Sequence, residues 1–144
     1  MFRQIAATIL VAALGRGLEC HAQELMLIPG LYEVEVRISL PNVQNVAPPK
    51  LLTLCIAPAD LRSGRAFFVQ SDNPLKHCDL MDYRPVSATV VYRIVCQGPN
   101  RGNAAAVFET TSAAYRGTIN MNMGGKNMTM TETQTGRRIG ACRP

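Results

Sequence analysis

Between Tyr32 and Leu40 apolar and polar side chains alternate without a break: Tyr32, Val34, Val36, Ile38 and Leu40 against Glu33, Glu35, Arg37 and Ser39. A period of two belongs to a half-buried strand, because successive side chains leave a strand on opposite faces. Pro29-Gly30 provides the turn through which the chain enters it. Asn42 to Lys50, with Pro48-Pro49, reads as a loop, and Leu51 to Ala57 as a short apolar strand. Pro58-Ala59-Asp60 predicts a turn opening one helical turn at most, with Asp60 as its cap. Arg62 to Lys76 lacks a period and reads as a long connection, in which Ala66-Phe67-Phe68-Val69 offers a further short strand.

From Asp79 onward the pattern is a run of hairpins. Ser87 to Gln97 is rich in Val, Tyr and Ile, Pro99 to Asn103 is a turn, and Ala104 to Thr111 and Tyr115 to Met123 flank Ser112-Ala113. Gly124 to Asn127 then leads into Met128 to Gln134. Setting Thr111 opposite Ala114 fixes the register: Glu109 faces Arg116, Phe108 covers Gly117, Ala106 faces Ile119 and Ala104 faces Met121. Continued through Gly124-Gly125, the same register sets Met123 against Met128 and Met121 against Met130, with Asn120, Asn122, Thr129 and Thr131 on the other side. The sheet is expected to have one apolar and one polar face. The fold class is therefore all-β: an antiparallel meander, either a curled sheet approaching a small barrel or a two-layer sandwich.

Length and composition suit one such domain. The chain has 144 residues, 47% hydrophobic and 17% charged, and Gly and Pro follow no repeat. Residues 1–22 read as a cleaved signal peptide, with Arg3 as the basic n-region and Ile5 to Leu14 as the apolar h-region. Cys20-His21-Ala22 precedes cleavage before Gln23, leaving 23–144 as a single β domain. The h-region is too short to span a bilayer core of about 30 Å, so no transmembrane segment is expected after cleavage. Glu19 directly before Cys20 argues against acylation of that cysteine. The formal net charge of +5 is dispersed, and aromatic residues are not interleaved with basic ones, which speaks against nucleic acid as a partner.

Cys55, Cys78, Cys96 and Cys142 remain after processing, an even number that predicts two disulfides. Cys78 and Cys96 flank a hairpin whose midpoint falls at Ser87, so antiparallel pairing sets them opposite each other and leaves Cys55 for Cys142. No C-x-x-C is present, and His77 is the only histidine beyond the signal segment, so a structural zinc site is the poorer account.

Met121, Met123, Met128 and Met130 fall on one face of one hairpin. Four thioethers so placed suit Cu(I), which prefers soft sulfur ligands. Core packing is the plainer account, since Phe108, Ala106 and Ala104 cover the same surface and one face of a sheet must be buried. A methionine-lined cavity for an apolar ligand lies between the two. Arg137 and Arg138, between Gly136 and Gly140, offer an anion-binding corner, although adjacent strand residues point to opposite faces.

Five short motifs occur in order. They are Pro29-Gly30-Leu31-Tyr32-Glu33-Val34, Leu54-Cys55-Ile56-Ala57-Pro58-Ala59-Asp60, Ile94-Val95-Cys96-Gln97-Gly98, Gly117-Thr118 and Gly136-Arg137-Arg138-Ile139-Gly140-Ala141-Cys142. Together they resemble the exported bacterial family called domain of unknown function 3617 over most of residues 29–142. Tyr32 stands where that family usually has tryptophan, a change that keeps the aromatic role. The Met-Thr-Met-Thr hairpin and the arginine pair belong to the resemblance. It implies an envelope or secreted location and a cysteine-stapled β domain, and it carries no catalytic residues to transfer.

Catalytic constellations are thin. A Cys-His nucleophile pair would need Cys78 reduced beside His77, and Asp79 and Asp82 are poorly spaced for an acid and base pair on one strand. Gly124-Gly125-Lys126-Asn127 precedes a strand and not a helix, so it is a hairpin turn and no P-loop. Asn127-Met128-Thr129 is a glycosylation sequon relevant only in a eukaryotic secretory host. The expectation is a periplasmic or secreted, non-enzymatic binding module without cofactor. It would engage an envelope partner or an apolar ligand through the concave face of the sheet and the methionine hairpin, with Cu(I) binding as the alternative.

Overall fold

A computed structural model of the chain describes residues 25–43, 46–98, 101–124 and 128–143. The expected signal segment 1–22 with its cleavage point, and Gly125-Lys126-Asn127 of the last turn, lie outside the described residues. Seven antiparallel strands form one open sheet: β1 (Gly30–Ser39), β2 (Lys50–Ile56), β3 (Asp79–Val86), β4 (Thr89–Val95), β5 (Asn103–Thr110), β6 (Ala114–Asn122) and β7 (Thr129–Gly140). Their order is β2-β1-β7-β6-β5-β4-β3. The strands from β3 to β7 succeed one another as hairpins, while the β1–β2 hairpin joins the far side of β7. Among the described residues the strands form this one sheet, which is not closed into a barrel, and no second sheet faces it.

β2 and β3 are consecutive in the chain yet form the two outer edges of the sheet. The segment between them supplies the second layer. It holds helix α1 (Pro58–Ser63) and two 3₁₀ turns, Arg65–Phe67 and Pro74–His77. The cap itself is Ala57, and Asp60, expected there, stands at the third helical position, from which its carboxylate accepts the Ala57 N–H at 2.8 Å. The helix has six residues, somewhat more than the single turn expected.

Ala66-Phe67-Phe68-Val69 is not a strand. All four side chains are buried, whereas a strand laid over one face of the sheet would turn every second side chain away from it. The backbone turns instead, and its polar groups go to side chains of the sheet. Tyr92 donates to the Phe67 carbonyl at 2.6 Å, and the Gln134 amide donates to the Phe68 carbonyl at 2.8 Å. The Phe67 ring lies 5.3 Å from the rings of both Phe108 and Tyr115, the second edge-on, so the plug meets an aromatic patch on β5 and β6.

The β5–β6 register is the one the turn spacing predicts: Glu109↔Arg116, Phe108↔Gly117, Ala106↔Ile119 and Ala104↔Met121. A Cβ on Gly117 would sit 2.4 Å from the Phe108 ring and 2.3 Å from the Val107 carbonyl oxygen, so only glycine fits beneath that ring. Both disulfides are formed, with Cα–Cα distances of 5.4 Å for Cys55–Cys142 and 4.7 Å for Cys78–Cys96. The Cys78–Cys96 pair lies one step beyond the Asp79↔Val95 end of the β3–β4 ladder.

The expectation of one wholly apolar face requires correction. Glu132 and Gln134 alternate with Thr131 and Thr133 on β7, and both are fully buried on the same side as Met130. Among the described residues the core carries a carboxylate and a carboxamide at β7, and a hydroxyl at Thr110 of β5.

Candidate functional site

The β6–β7 hairpin grades from core to solvent. Met121 pairs with Met130 across the ladder, and the N–H of Met123 donates to the Met128 carbonyl at 2.8 Å. Met121 is 2% exposed and sits opposite Ala104 in the core. Met123 and Met130 are half-buried against that core, and Met128 is 59% exposed. The structure thus takes Met121 into the interior and leaves Met123, Met128 and Met130 toward the rim. Three soft thioethers at a surface suit either an apolar contact that adapts to its partner or a cuprous ion.

The other side of the same hairpin is polar. Asn103, Asn120, Asn122, Thr129 and Thr131 line a shallow groove of about 510 Å³, bordered by Leu40 and Pro41 after β1. Thr131 donates to the Asn120 carboxamide oxygen at 2.9 Å, and the Asn122 side-chain oxygen accepts the Gly124 N–H at 3.0 Å. Carboxamides fixed in this way present donors and acceptors together, the chemistry that meets a peptide backbone or hydroxyl groups. A groove of similar size, about 530 Å³, lies at the opposite end of β5 and β6 around Thr89, Thr110 and Ala114.

The concave face, where an apolar ligand was expected, is filled by the chain itself. Phe67, Phe68, Val69 and Leu75 of the connection occupy it, all buried. Beneath them Glu132 accepts the N–H groups of Gln70 and Ser71 at 2.9 Å each, the Ser71 hydroxyl, and the Gln134 amide at 2.7 Å. The Tyr115 hydroxyl and the Gln134 carboxamide oxygen are buried close by without a hydrogen-bond partner among the described residues. Burial, aided by the nearby Glu132 charge, pushes the hydroxyls of Tyr92 and Tyr115 far above the ordinary tyrosine range. This polar set was invisible in sequence because Thr-Glu-Thr-Gln reads as polar at every position. Its only signal is that Glu132 and Gln134 stand in phase with Met130.

The two arginines part company. Arg137 pairs with Glu33 on the outer face at 2.8 Å. Arg138 lies against Gly30 and donates to the Pro29 carbonyl at 3.1 Å. Their guanidinium groups engage different partners on opposite faces of the strand. His77 is exposed in its 3₁₀ turn beside the Cys78–Cys96 disulfide. Asp82 pairs with Arg93 at 2.7 Å, and Asp79 is exposed at the start of β3. Among the described residues no three His, Cys, Asp or Glu side chains are grouped to hold a metal ion, and no helix is long and apolar enough to cross a membrane.

A family model described as "Protein of unknown function (DUF3617)" matches residues 27–142. No curated protein and no solved structure matches the chain.

Proposed function

The chain belongs to the family of domain of unknown function 3617, and from that premise we propose that it is an exported, non-enzymatic binding module whose contact surface is the open end of the β6–β7 hairpin. Its location is periplasmic or secreted, a reading supported by the two disulfides and by the apolar segment Ile5 to Leu14. The observation that carries the binding reading is Met128, 59% exposed at the end of a series that begins in the core. Methionine is flexible and polarisable, so a patch of Met123, Met128 and Met130 moulds to an apolar partner, while the Asn and Thr groove behind it supplies the polar rim. The partner that fits is an envelope protein segment with an apolar side chain flanked by hydrogen-bonding backbone.

The test is a photo-crosslinking amino acid at position 128 in cells exporting the protein, with Val107, exposed on the outer face, as the control position. A discrete adduct at 128 and none at 107 is the expected result. Equal labelling at both positions, or none at either, overturns the reading.

A second reading, Cu(I) capture, is favoured by the same three surface thioethers. Titration with buffered Cu(I) would then give one equivalent bound in the wild type and none after Met128→Leu with Met130→Leu, substitutions that keep the apolar volume. Unchanged affinity in the double variant eliminates the metal.

A further inference from the structure

The two edges of the sheet are built differently. β3 carries the devices that keep an edge from pairing: Pro85 within the strand, a register irregularity between Met81 and Arg84, and Asp82 in the left-handed region at φ 54°. Asp79, Asp82 and Arg84 add charge along it. β2 has none of these. Its register against β1 is unbroken from Lys50 to Ile56, it holds no charge after Lys50, and no proline interrupts it between Pro49 and Pro58. Among the described residues no hydrogen bond reaches the outward backbone groups of β2. Leu51 is 65% exposed on its outer side, while Leu52 and Leu54 are half-buried against the margin of the core.

We propose that β2 joins a second copy of this chain, edge to edge and antiparallel, about a twofold axis through Thr53. Pro49 and Pro58 bracket the strand, and Thr53 is the central residue of Lys50–Ile56. With Thr53 opposite the partner's Thr53, Leu52 faces the partner's Leu54 and Leu54 faces the partner's Leu52. Four half-buried leucines then meet on the core side and continue the apolar layer from one protomer to the other. On the outer side Leu51 lies opposite the partner's Cys55 and covers its disulfide, while on the core side, at the two ends of the contact, Lys50 lies opposite the partner's Ile56. No like charges meet anywhere in this register. The strand is complementary to itself, half-buried leucine meeting half-buried leucine and its one charge, Lys50, kept from its copy, which is what an isologous contact requires. Because β3 is blocked, the assembly stops at two copies and does not extend into a fibre.

The experiment is sedimentation equilibrium of the oxidised protein at concentrations of order 100 µM, where contacts of micromolar affinity are saturated. The wild type is expected at twice its chain mass. Thr53→Lys and Thr53→Glu, each placing like charges face to face at an exposed position, are expected to halve that mass. Mixing the two variants restores the doubled mass as a one-to-one pair, a result that misfolded variants would not give. A monomeric wild type, a doubled mass in either variant alone, or a mixture that stays monomeric overturns the proposal.

Discussion

The Glu132 carboxylate accepts the backbone N–H of Ser71 at 2.9 Å, and this contact fastens the connection between the two edge strands to the inside of the sheet. Two further groups of the connection, the Gln70 N–H and the Ser71 hydroxyl, meet the same carboxylate. A buried charge without a countercharge is tolerable only where hydrogen bonds replace its hydration, and here the plug supplies most of them.

Glu132→Ala is therefore expected to cost about 3 kcal/mol or more, since it empties a fully buried position and takes the acceptor from the buried Gln134 amide and from the half-buried N–H groups of Gln70 and Ser71. Glu33→Ala, which breaks the exposed pair with Arg137, should change stability by less than about 1 kcal/mol. Urea unfolding of the two variants beside the wild type checks the difference.

Tyr92 and Tyr115 are both buried, but only Tyr92 has a partner for its hydroxyl, the Phe67 carbonyl. Tyr92→Phe should destabilise by about 1 kcal/mol and leave that carbonyl unpaired. Tyr115→Phe removes a hydroxyl with no hydrogen-bond partner among the described residues, so it should be neutral or stabilising. Thermal unfolding of the two variants is expected to move in opposite directions, or for Tyr115→Phe not to move.

The same two tyrosines set an alkaline limit. Desolvation raises both in the fold, while in the unfolded chain they titrate near 10. Below that pH both states hold the proton and stability is unaffected. Above it the unfolded state has released protons that the fold retains, so stability falls by about 1.4 kcal/mol per pH unit for each tyrosine. Tyrosinate absorbance from these two residues should appear only together with loss of the sheet signal in circular dichroism. Ionisation with the sheet intact would contradict their burial.

Much of the sheet was legible in its sequence because antiparallel hairpins write their register locally. Thr111 opposite Ala114 propagates to Phe108 over Gly117, and the turn expected at Gly124-Gly125 carries the register on to Met121 beside Met130. The hairpin midpoint at Ser87 likewise gave the Cys78–Cys96 bridge, and with it Cys55–Cys142. The plug was not legible. Ala66 to Val69 has no period, and whether an apolar run lies in a sheet or across one depends on partners far away in the chain. Glu132 and Gln134 escaped for the same reason: nothing near them in sequence says that Gln70, Ser71 and Phe68 will arrive above. At the candidate site the sequence placed four methionines on one face, but it could not say that Met121 would be core and Met128 rim.

The two disulfides should differ in worth. Cys78 and Cys96 are 18 residues apart and Cys55 and Cys142 are 87 apart. On the loop-entropy model these correspond to about 3 and about 4 to 5 kcal/mol respectively. Replacing each pair by serine and comparing urea midpoints at equal m-value should place the Cys55–Cys142 variant lower. The reverse order would mean that the unfolded chain already holds its ends together.

The position of β1 imposes an order in time. Its neighbour β7 is the last of the described strands, with Glu33 opposite Arg137, whereas every strand from β4 to β7 finds a partner in the one just before it. A chain emerging from its N-terminus holds β1 and β2 ready long before the strand they dock against exists. The Cys55 thiol waits with them, while Cys78 and Cys96 can close as soon as their hairpin has emerged. Completion of the sheet is thereby tied to the emergence of β7, and Cys55–Cys142 marks the molecules in which β1 and β7 have met.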